Sequence, residues 1–300
     1  MNQKTKKKKV KKGFKTYRKY NKKDICSPSL KRGKNQGCFS KENLKKLKLS
    51  YNRSTKKKIE SEISSDIYKE LKKKFKKTCN KSEMCWLQNL GFTNYEKHKI
   101  KKESFAPYAP SSWKENPLEW LSNFDIDKIM EQYESIYPEF KYLGSSPIDF
   151  DKKIKGECVF DALCKLNLLE LDKNKKFKIG VVFNLDPHDK PGSHWTAMFI
   201  NLNKREICYF DSAGDSAPPT VKKLVKRIQN QALKQGINLN FIENHPVEHQ
   251  LKDTECGIYV IYFLIHMLKG LSFNRFLNPN NVIRDKAISK YRKKYFNLPN

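Results

Sequence analysis

Cys256 lies where a polar segment of the chain meets an apolar one. The residues QLKDTE precede it and the residues GIYVIYFLIHML follow it. A free thiol titrates at about 8.5 and becomes a strong nucleophile only as the thiolate, which a helix N-terminus or a neighbouring imidazole stabilises. The apolar run predicts a helix that is buried on all sides and begins at Cys256. A cysteine at such a position is most often a packing residue, so the choice between packing and catalysis depends on its partners.

A nucleophilic thiol needs a base and a group that orients the base. His194 begins the strand candidate HWTAMFINL, Asp211 lies near the end of the next candidate, EICYFDS, and only NKR separates the two. Two antiparallel strands joined by a hairpin bring the start of one beside the end of the other, so His194 and Asp211 are expected to be neighbours. Gln250, six residues before Cys256, can donate its amide to an oxyanion, together with the backbone N–H of Cys256.

Other residues near these segments offer alternatives. Asp186 precedes a proline and indicates a turn, and His266 lies within the apolar run and indicates a core position. The competing candidates are three loop histidines for the base and one aspartate for the acid: His188, His245, His249 and Asp215.

The elements expected to position these residues are of mixed type. Helical segments are predicted at 118–137, 157–171 and 217–236, the last with Pro near its start and Gly236 at its end. Strands are predicted at 177–185, 194–202, 206–212 and 237–244. The pattern indicates an α+β fold with a central mixed or antiparallel sheet, helices packed on it and a buried helix that starts at Cys256.

The basic residues are concentrated in the N-terminal part of the chain. The 300 residues carry a formal net charge of +30, and residues 1–80 hold 29 Lys and Arg against 6 Asp and Glu, a net charge of +23. Residues 1–60 therefore predict a basic, disordered or only locally helical tail. Residues 61–114 predict a helical arm that runs into a Pro- and Ser-rich linker at 104–117. Residues 115–300 are predicted to form the main domain.

The chain shows no sign of secretion or of membrane insertion. The N-terminal lysine runs lack the apolar core of a signal peptide, and no stretch reaches the roughly 18 apolar residues of a membrane span. The eight cysteines form no C-x-x-C pair and no zinc-site spacing. We therefore expect reduced thiols in a cytosol-like compartment and no metal or organic cofactor.

The motifs GSHWTAMFI, YFDS and Q-x5-C-G-I-Y together resemble the cysteine proteases of the SUMO-specific protease and adenovirus protease clan. The resemblance covers about residues 115–270. It implies that His194 is the base, Asp211 its partner, Cys256 the nucleophile and Gln250 the oxyanion donor. It also implies a channel for a glycine-rich substrate beside Trp195, and Trp120 is either the second wall of that channel or a core aromatic.

Within this clan, the segments EWLSNFDIDKIMEQYE and SSPIDFD are most similar to the polyprotein-processing proteases of large DNA viruses, such as African swine fever virus and giant viruses. That likeness implies a thiol endopeptidase that cleaves viral polyproteins or core precursors after Gly-Gly, in the virion and the host cytoplasm. Two alternatives stay open. One is an isopeptidase acting on host SUMO or ubiquitin-like conjugates, and the other is an inactive protease fold that binds nucleic acid through its lysine-rich N-terminus.

Overall fold

The computed structural model describes residues 23–30 and 37–298 of the chain. The chain divides into two compact units, and the division in the sequence lies between Ala106 and Pro107. This point falls inside the predicted linker. Within the described residues, none of the helices combines the length and the apolar character that a membrane crossing requires.

The first unit consists of helices around a small core of their own. In its longest helix, Ser64–Cys79, the side chains of Ile67, Leu71 and Phe75 are buried, as their helical spacing predicts, and lysines occupy the exposed side. The helices of this unit are Lys41–Ser54, Ser64–Cys79, Met84–Gln88 and Asn94–Ser104.

The helix Lys41–Ser54 lies in the segment 1–60 that the sequence predicts as a disordered tail. Leu44 and Leu47 are completely buried and Ile59 nearly so, and the Ile59 N–H donates to Asn52 Oδ1 at 2.8 Å. The prediction of a disordered or only locally helical tail therefore understates the order of residues 41–54, because a few apolar side chains at helical spacing find a shared core despite the lysine-rich composition. Residues 1–22 of the predicted tail lie outside the described residues.

The cysteines also depart from the prediction, since three pairs form disulfides. The pairs Cys26–Cys38, Cys79–Cys85 and Cys158–Cys164 bring their Cα atoms to 4.8, 5.5 and 6.4 Å, within the range that a disulfide spans. Sequence separations of 12, 6 and 6 residues match no recognised motif, so spacing alone did not reveal the pairing. Cys208 and Cys256 are free thiols.

The second unit is built on a five-stranded mixed sheet. Its central pairs, β4–β5 and β5–β6, are antiparallel, whereas the edge pairs β1–β4 and β6–β7 are parallel. The predicted mixed sheet is confirmed, and β1, which the sequence analysis did not identify, extends it. The strands are β1 Phe140–Pro147, β2 Lys153–Ile154, β3 Glu157–Cys158, β4 Lys178–Asn184, β5 Trp195–Asn201, β6 Glu206–Phe210 and β7 Asn240–Glu243, with β2 and β3 forming a separate ribbon.

Helices cover both faces of this sheet. The helix Cys256–Leu268 shares one core cluster with Phe199 of β5, and the helix Pro219–Leu233 shares the other with Met198. Successive residues of a strand point to opposite faces, so both faces of β5 are buried, and its sequence is mostly apolar. The other helices are Asn123–Ile136, Asp161–Cys164, Leu168–Lys173, Asn274–Leu277, Asp285–Ile288 and Arg292–Tyr295, with 3₁₀ turns at Ser111–Lys114, Pro279–Asn281 and Ser289–Tyr291.

Residues 157–171, predicted as one helix, are interrupted. Strand β3 takes the first two of them, and the helices Asp161–Cys164 and Leu168–Lys173 follow separately. Asn167 separates the two helices, because its side chain accepts hydrogen bonds from the Leu169 and Glu170 N–H groups as an N-cap.

Candidate active site

Cys256 occupies the first position of the helix Cys256–Leu268, as predicted. Its side chain is buried, and the helix behind it is buried along almost its whole length. The next residue must be small, because a Cβ on Gly257 would lie 2.8 Å from the Cβ of Leu121. The start of the helix therefore packs directly against the segment around Leu121, and the thiol lies at the positive end of the helix dipole.

His194 and Asp211 lie side by side, as the hairpin topology predicts. His194 immediately precedes β5, Asp211 immediately follows β6, and these strands pair in antiparallel register. The Nε2 atom of His194 lies 2.7 Å from Oδ1 of Asp211. Asp211 is almost completely buried, whereas 21% of the His194 side chain is exposed, so the imidazole connects a buried carboxylate with a more open part of the site.

The position of Asp211 is fixed by its neighbours. Its Oδ1 atom accepts a hydrogen bond from the Ala213 N–H at 2.8 Å. The completely buried Asn244 accepts from the Asp211 N–H at 2.8 Å and donates to its carbonyl at 2.7 Å. Asn244 was not among the predicted site residues, because it reaches Asp211 only through the parallel pairing of β7 with β6, which no local pattern in the sequence indicates.

His194 is the bridge between Asp211 and Cys256, since its side chain hydrogen bonds to both. With Nε2 on Asp211, Nδ1 is the nitrogen left for the thiol. Burial of the ring lowers the pKa of His194, but the hydrogen bonds and charges of Asp211 and Cys256 outweigh it and raise that pKa from 6.5 to about 10. The site therefore favours a protonated imidazole beside the Cys256 side chain, and a neighbouring imidazolium is one of the groups that activate a cysteine nucleophile.

Gln250 is held in the approach to Cys256. Ser212 Oγ donates to Gln250 Oε1 at 2.8 Å, and the Gln250 N–H donates to the Ser212 carbonyl at 2.8 Å. Its Nε2 atom donates to the Lys252 carbonyl. An amide nitrogen carries two hydrogens, so a second one is available for an acceptor. The oxyanion role of Gln250 stays a prediction.

The two predicted channel tryptophans line the same cleft, which has a volume of about 650 Å³. Trp195 is mostly buried and its indole Nε1–H donates to the Leu121 carbonyl at 2.9 Å. Trp120 is 41% exposed and is therefore not a core residue. Gly192 and Asp186, from the loop before His194, also line this cleft. That these walls bind substrate stays a prediction.

The alternative bases have other partners. His188 pairs with Asp149, Nδ1 to Oδ2, at 2.7 Å, and His245 Nδ1 lies 2.9 Å from the Gly214 carbonyl. The buried His249 hydrogen bonds to the Phe276 carbonyl and the Ile283 N–H.

Neither the remaining acids nor the other thiol joins the site. Asp186 accepts hydrogen bonds from Gly192 and Ser193, which fits its predicted turn role, and the structure gives Asp215 no contact with His194. Burial raises the pKa of the Cys208 thiol well above its usual range, which makes this thiol unreactive. Among the residues that the structure describes, no group of three or more His, Cys, Asp or Glu side chains could hold a metal ion.

Comparison with known proteins agrees with this geometry. Residues 174–298 match the model of a family described as the Ulp1 protease family, C-terminal catalytic domain. A protein of Acanthamoeba polyphaga mimivirus, whose name assigns it to the thiol proteases, is 28% identical over 293 residues, which cover 91% of this chain and 93% of that protein. A cysteine protease of African swine fever virus is 28% identical over 194 residues, 59% of this chain and 68% of its own.

The fold is also similar to a solved structure. The crystal structure of the African swine fever virus protease superposes with a TM-score of 0.63 at 21% identity and covers 92% of this chain and 96% of its own. The predicted resemblance and the predicted mixed sheet are confirmed. The segment 174–298 thus matches the catalytic-domain model of the Ulp1 protease family, and the enzyme class is that of the cysteine proteases.

Proposed function

We propose that this protein is a thiol endopeptidase that processes viral structural polyproteins or core precursors, cleaving after a glycine pair during virion maturation. The observation that carries the proposal is the hydrogen bonding of His194 to both Asp211 and Cys256. The similar proteins of mimivirus and African swine fever virus, both named as proteases, support a viral protein substrate.

In the proposed reaction, the Cys256 thiolate attacks the carbonyl carbon of the scissile peptide bond, and the C–O π electrons move to the oxygen. The Gln250 amide and the Cys256 backbone N–H hold the resulting oxyanion. The oxyanion then collapses and the C–N bond breaks, while the His194 imidazolium gives its proton to the departing amine. The acyl group stays on Cys256 as a thioester. His194 then removes a proton from a water molecule that attacks the thioester, and Cys256 leaves as the thiolate.

The preference for glycine is proposed from the cleft walls. Trp120 lines one side, and Trp195 is fixed by its hydrogen bond to the Leu121 carbonyl. Two indoles facing a cleft leave room for a peptide backbone more readily than for bulky side chains, so glycine is the residue type that fits beside them.

The test is to map new N-termini by mass spectrometry after the protein is added to candidate virion precursors. Cys256→Ala should abolish every new terminus, whereas Cys208→Ala, which removes the other free thiol, should leave cleavage after Gly-Gly intact. SUMO and ubiquitin probes are tested in parallel. Labelling of these probes without precursor cleavage would favour an isopeptidase instead.

We also propose that the lysine-rich N-terminal segment binds nucleic acid and that the protein acts in the virion and the host cytoplasm. The net charge of +23 over residues 1–80, from 29 basic and 6 acidic residues, supports phosphate binding. Binding to a DNA or RNA oligonucleotide should fall steeply as salt rises and weaken strongly when residues 1–22 are deleted, a deletion that spares the buried core of the first unit. Binding independent of salt would contradict the proposal.

A further inference from the structure

A buried ion pair involves the residue that directly precedes the nucleophile in the chain. Glu255, the residue before Cys256, receives a hydrogen bond on Oε2 from Arg292 Nε at 2.8 Å, and both side chains are almost completely buried, with 2% and 4% exposed. Burial raises the pKa of Glu255, and the Arg292 charge opposes that rise. A charged pair is costly to bury unless its remaining hydrogens also find partners.

The guanidinium of Arg292 finds those partners on two different segments. It donates to the Thr254 carbonyl at 2.9 Å, on the loop that leads to Cys256. It also donates to the Glu119 carbonyl at 2.8 Å, on the segment that carries Trp120. The face of the guanidinium lies 4.5 Å from the ring centre of Trp113. One side chain therefore ties the nucleophile loop to the segment that forms a wall of the cleft.

The segment that Arg292 holds is in contact with the rest of the site. The Leu121 carbonyl accepts the hydrogen bond of Trp195, and the Leu121 side chain packs so closely on the helix start that only glycine fits at position 257. A displacement of this segment would consequently move Trp120 and Trp195 relative to Cys256.

We propose that Arg292 is a positioning residue that sets the distance between the nucleophile and the tryptophan wall of the cleft, and that it neutralises the Glu255 carboxylate next to the Cys256 thiolate. This inference rests on the proposed role of Cys256 as the nucleophile. Besides Glu255 and Arg292, the charged groups that act on this site are His194, which is paired with Asp211, and Asp285, which acts on Glu255.

Removing the charge of Arg292 and removing the charge of Glu255 should shift the pH midpoint of Cys256 alkylation in opposite directions. In Arg292→Met, an uncompensated carboxylate beside Cys256 disfavours the thiolate, so alkylation of Cys256 should reach half its maximal rate at a higher pH. In Glu255→Gln, the Arg292 charge is no longer balanced and favours the thiolate, so this midpoint should move to a lower pH. A purely structural role predicts no such opposition.

The variant Arg292→Lys tests the geometry of the Arg292 side chain separately from its charge. Lysine keeps the charge but has no planar fork with which to reach Glu255 and both carbonyls. The pH midpoint of Cys256 alkylation should change less in Arg292→Lys than in Arg292→Met. The kcat/KM of Arg292→Lys on a peptide substrate should nevertheless fall. A misplacement of about 1 Å can cost about 100-fold in rate, so a loss of roughly 10- to 100-fold is expected.

The experiment measures iodoacetamide alkylation of Cys256 against pH in the full chain, with near-ultraviolet circular dichroism to verify folding. Arg227→Met is the matched control, because Arg227 also donates to a carbonyl, that of Leu163, on the other side of the sheet. Opposite shifts in Arg292→Met and Glu255→Gln support the inference. Shifts in the same direction, or no shift in either, overturn it.

Two further results keep the test decisive. If Arg292→Met does not fold, the other two variants decide. An unchanged alkylation midpoint in Glu255→Gln contradicts the inference, and so does an unchanged kcat/KM in Arg292→Lys. His194→Ala tests the proposed function separately. If it leaves fast alkylation of Cys256 unaltered, the nucleophile assignment fails, whatever the Arg292 variants do.

Discussion

Replacing Asp211 with asparagine removes its charge but keeps an oxygen that can accept from His194 Nε2 and from the Ala213 N–H. The pKa of His194 rises from 6.5 to about 10 although burial opposes the rise. At 1.36 kcal/mol per pH unit, this shift corresponds to about 5 kcal/mol. Asp211 and Cys256 share that contribution, so neutralising Asp211 is expected to remove about half of it, or roughly 2 kcal/mol.

The sign of the pH effect follows from the direction of the shift. Because the His194 pKa is raised, its stabilising contribution is complete below pH 6.5 and is lost as the pH rises through about 10. The alkaline limb of peptide cleavage in the wild type should therefore lie near pH 10, because the departing amine takes its proton from the imidazolium. In Asp211→Asn it should move down by about 1.5 pH units, which makes the variant several-fold slower at pH 9.

The assay is the pH dependence of peptide cleavage, the reaction in which His194 must carry the proton that the departing amine receives. Asp215→Asn is the control, since it removes an equal charge from an aspartate that was an alternative for the same role. Asp211→Ala should lose more rate than Asp211→Asn at every pH, because the imidazole then also loses its orienting acceptor. An alkaline limb that stays in place in Asp211→Asn would refute the reasoning.

Three further substitutions test other parts of the site. Gln250→Ala should lower kcat about 100-fold or more while alkylation of Cys256 keeps its rate, because an oxyanion donor acts only on the substrate; equal losses in both assays would contradict that role. Gly257→Ala should lower the free energy of unfolding by about 1–3 kcal/mol, because the new Cβ would lie 2.8 Å from Leu121. A melting temperature equal to that of the wild type would contradict this packing. Trp120→Ala should raise KM for a Gly-Gly peptide and leave thermal stability unaltered, because the ring is 41% exposed, and a large drop in stability would show a core role instead.

The central part of the site could be predicted because it depends on local pattern. Two strand candidates with a short connection already place His194 beside Asp211, and the change from polar to apolar residues at Cys256 already marks the start of a helix. Both conclusions need only short-range periodicity and the rule that hairpin strands are antiparallel.

Features that rest on distant contacts could not be predicted in this way. Arg292 donates to Glu119, which is 173 residues away in the sequence, and nothing in the local composition around either residue indicates the contact. Asn244 reaches Asp211 only because β7 pairs in parallel with β6. The helix Lys41–Ser54 was missed for a related reason, since its few apolar residues are stabilised by other helices and not by local propensity.

The hairpin between β5 and β6 has a consequence for how the sequence can change. Asn201 pairs with Glu206 across the turn, and this register carries through to Ala197 opposite Phe210. One extra residue in the turn would shift β6 by one position and reverse the face of every side chain on it. The length of a surface turn at one end of the sheet therefore determines whether His194 meets Asp211 at the other, so insertions there should be far less tolerated than its exposure suggests.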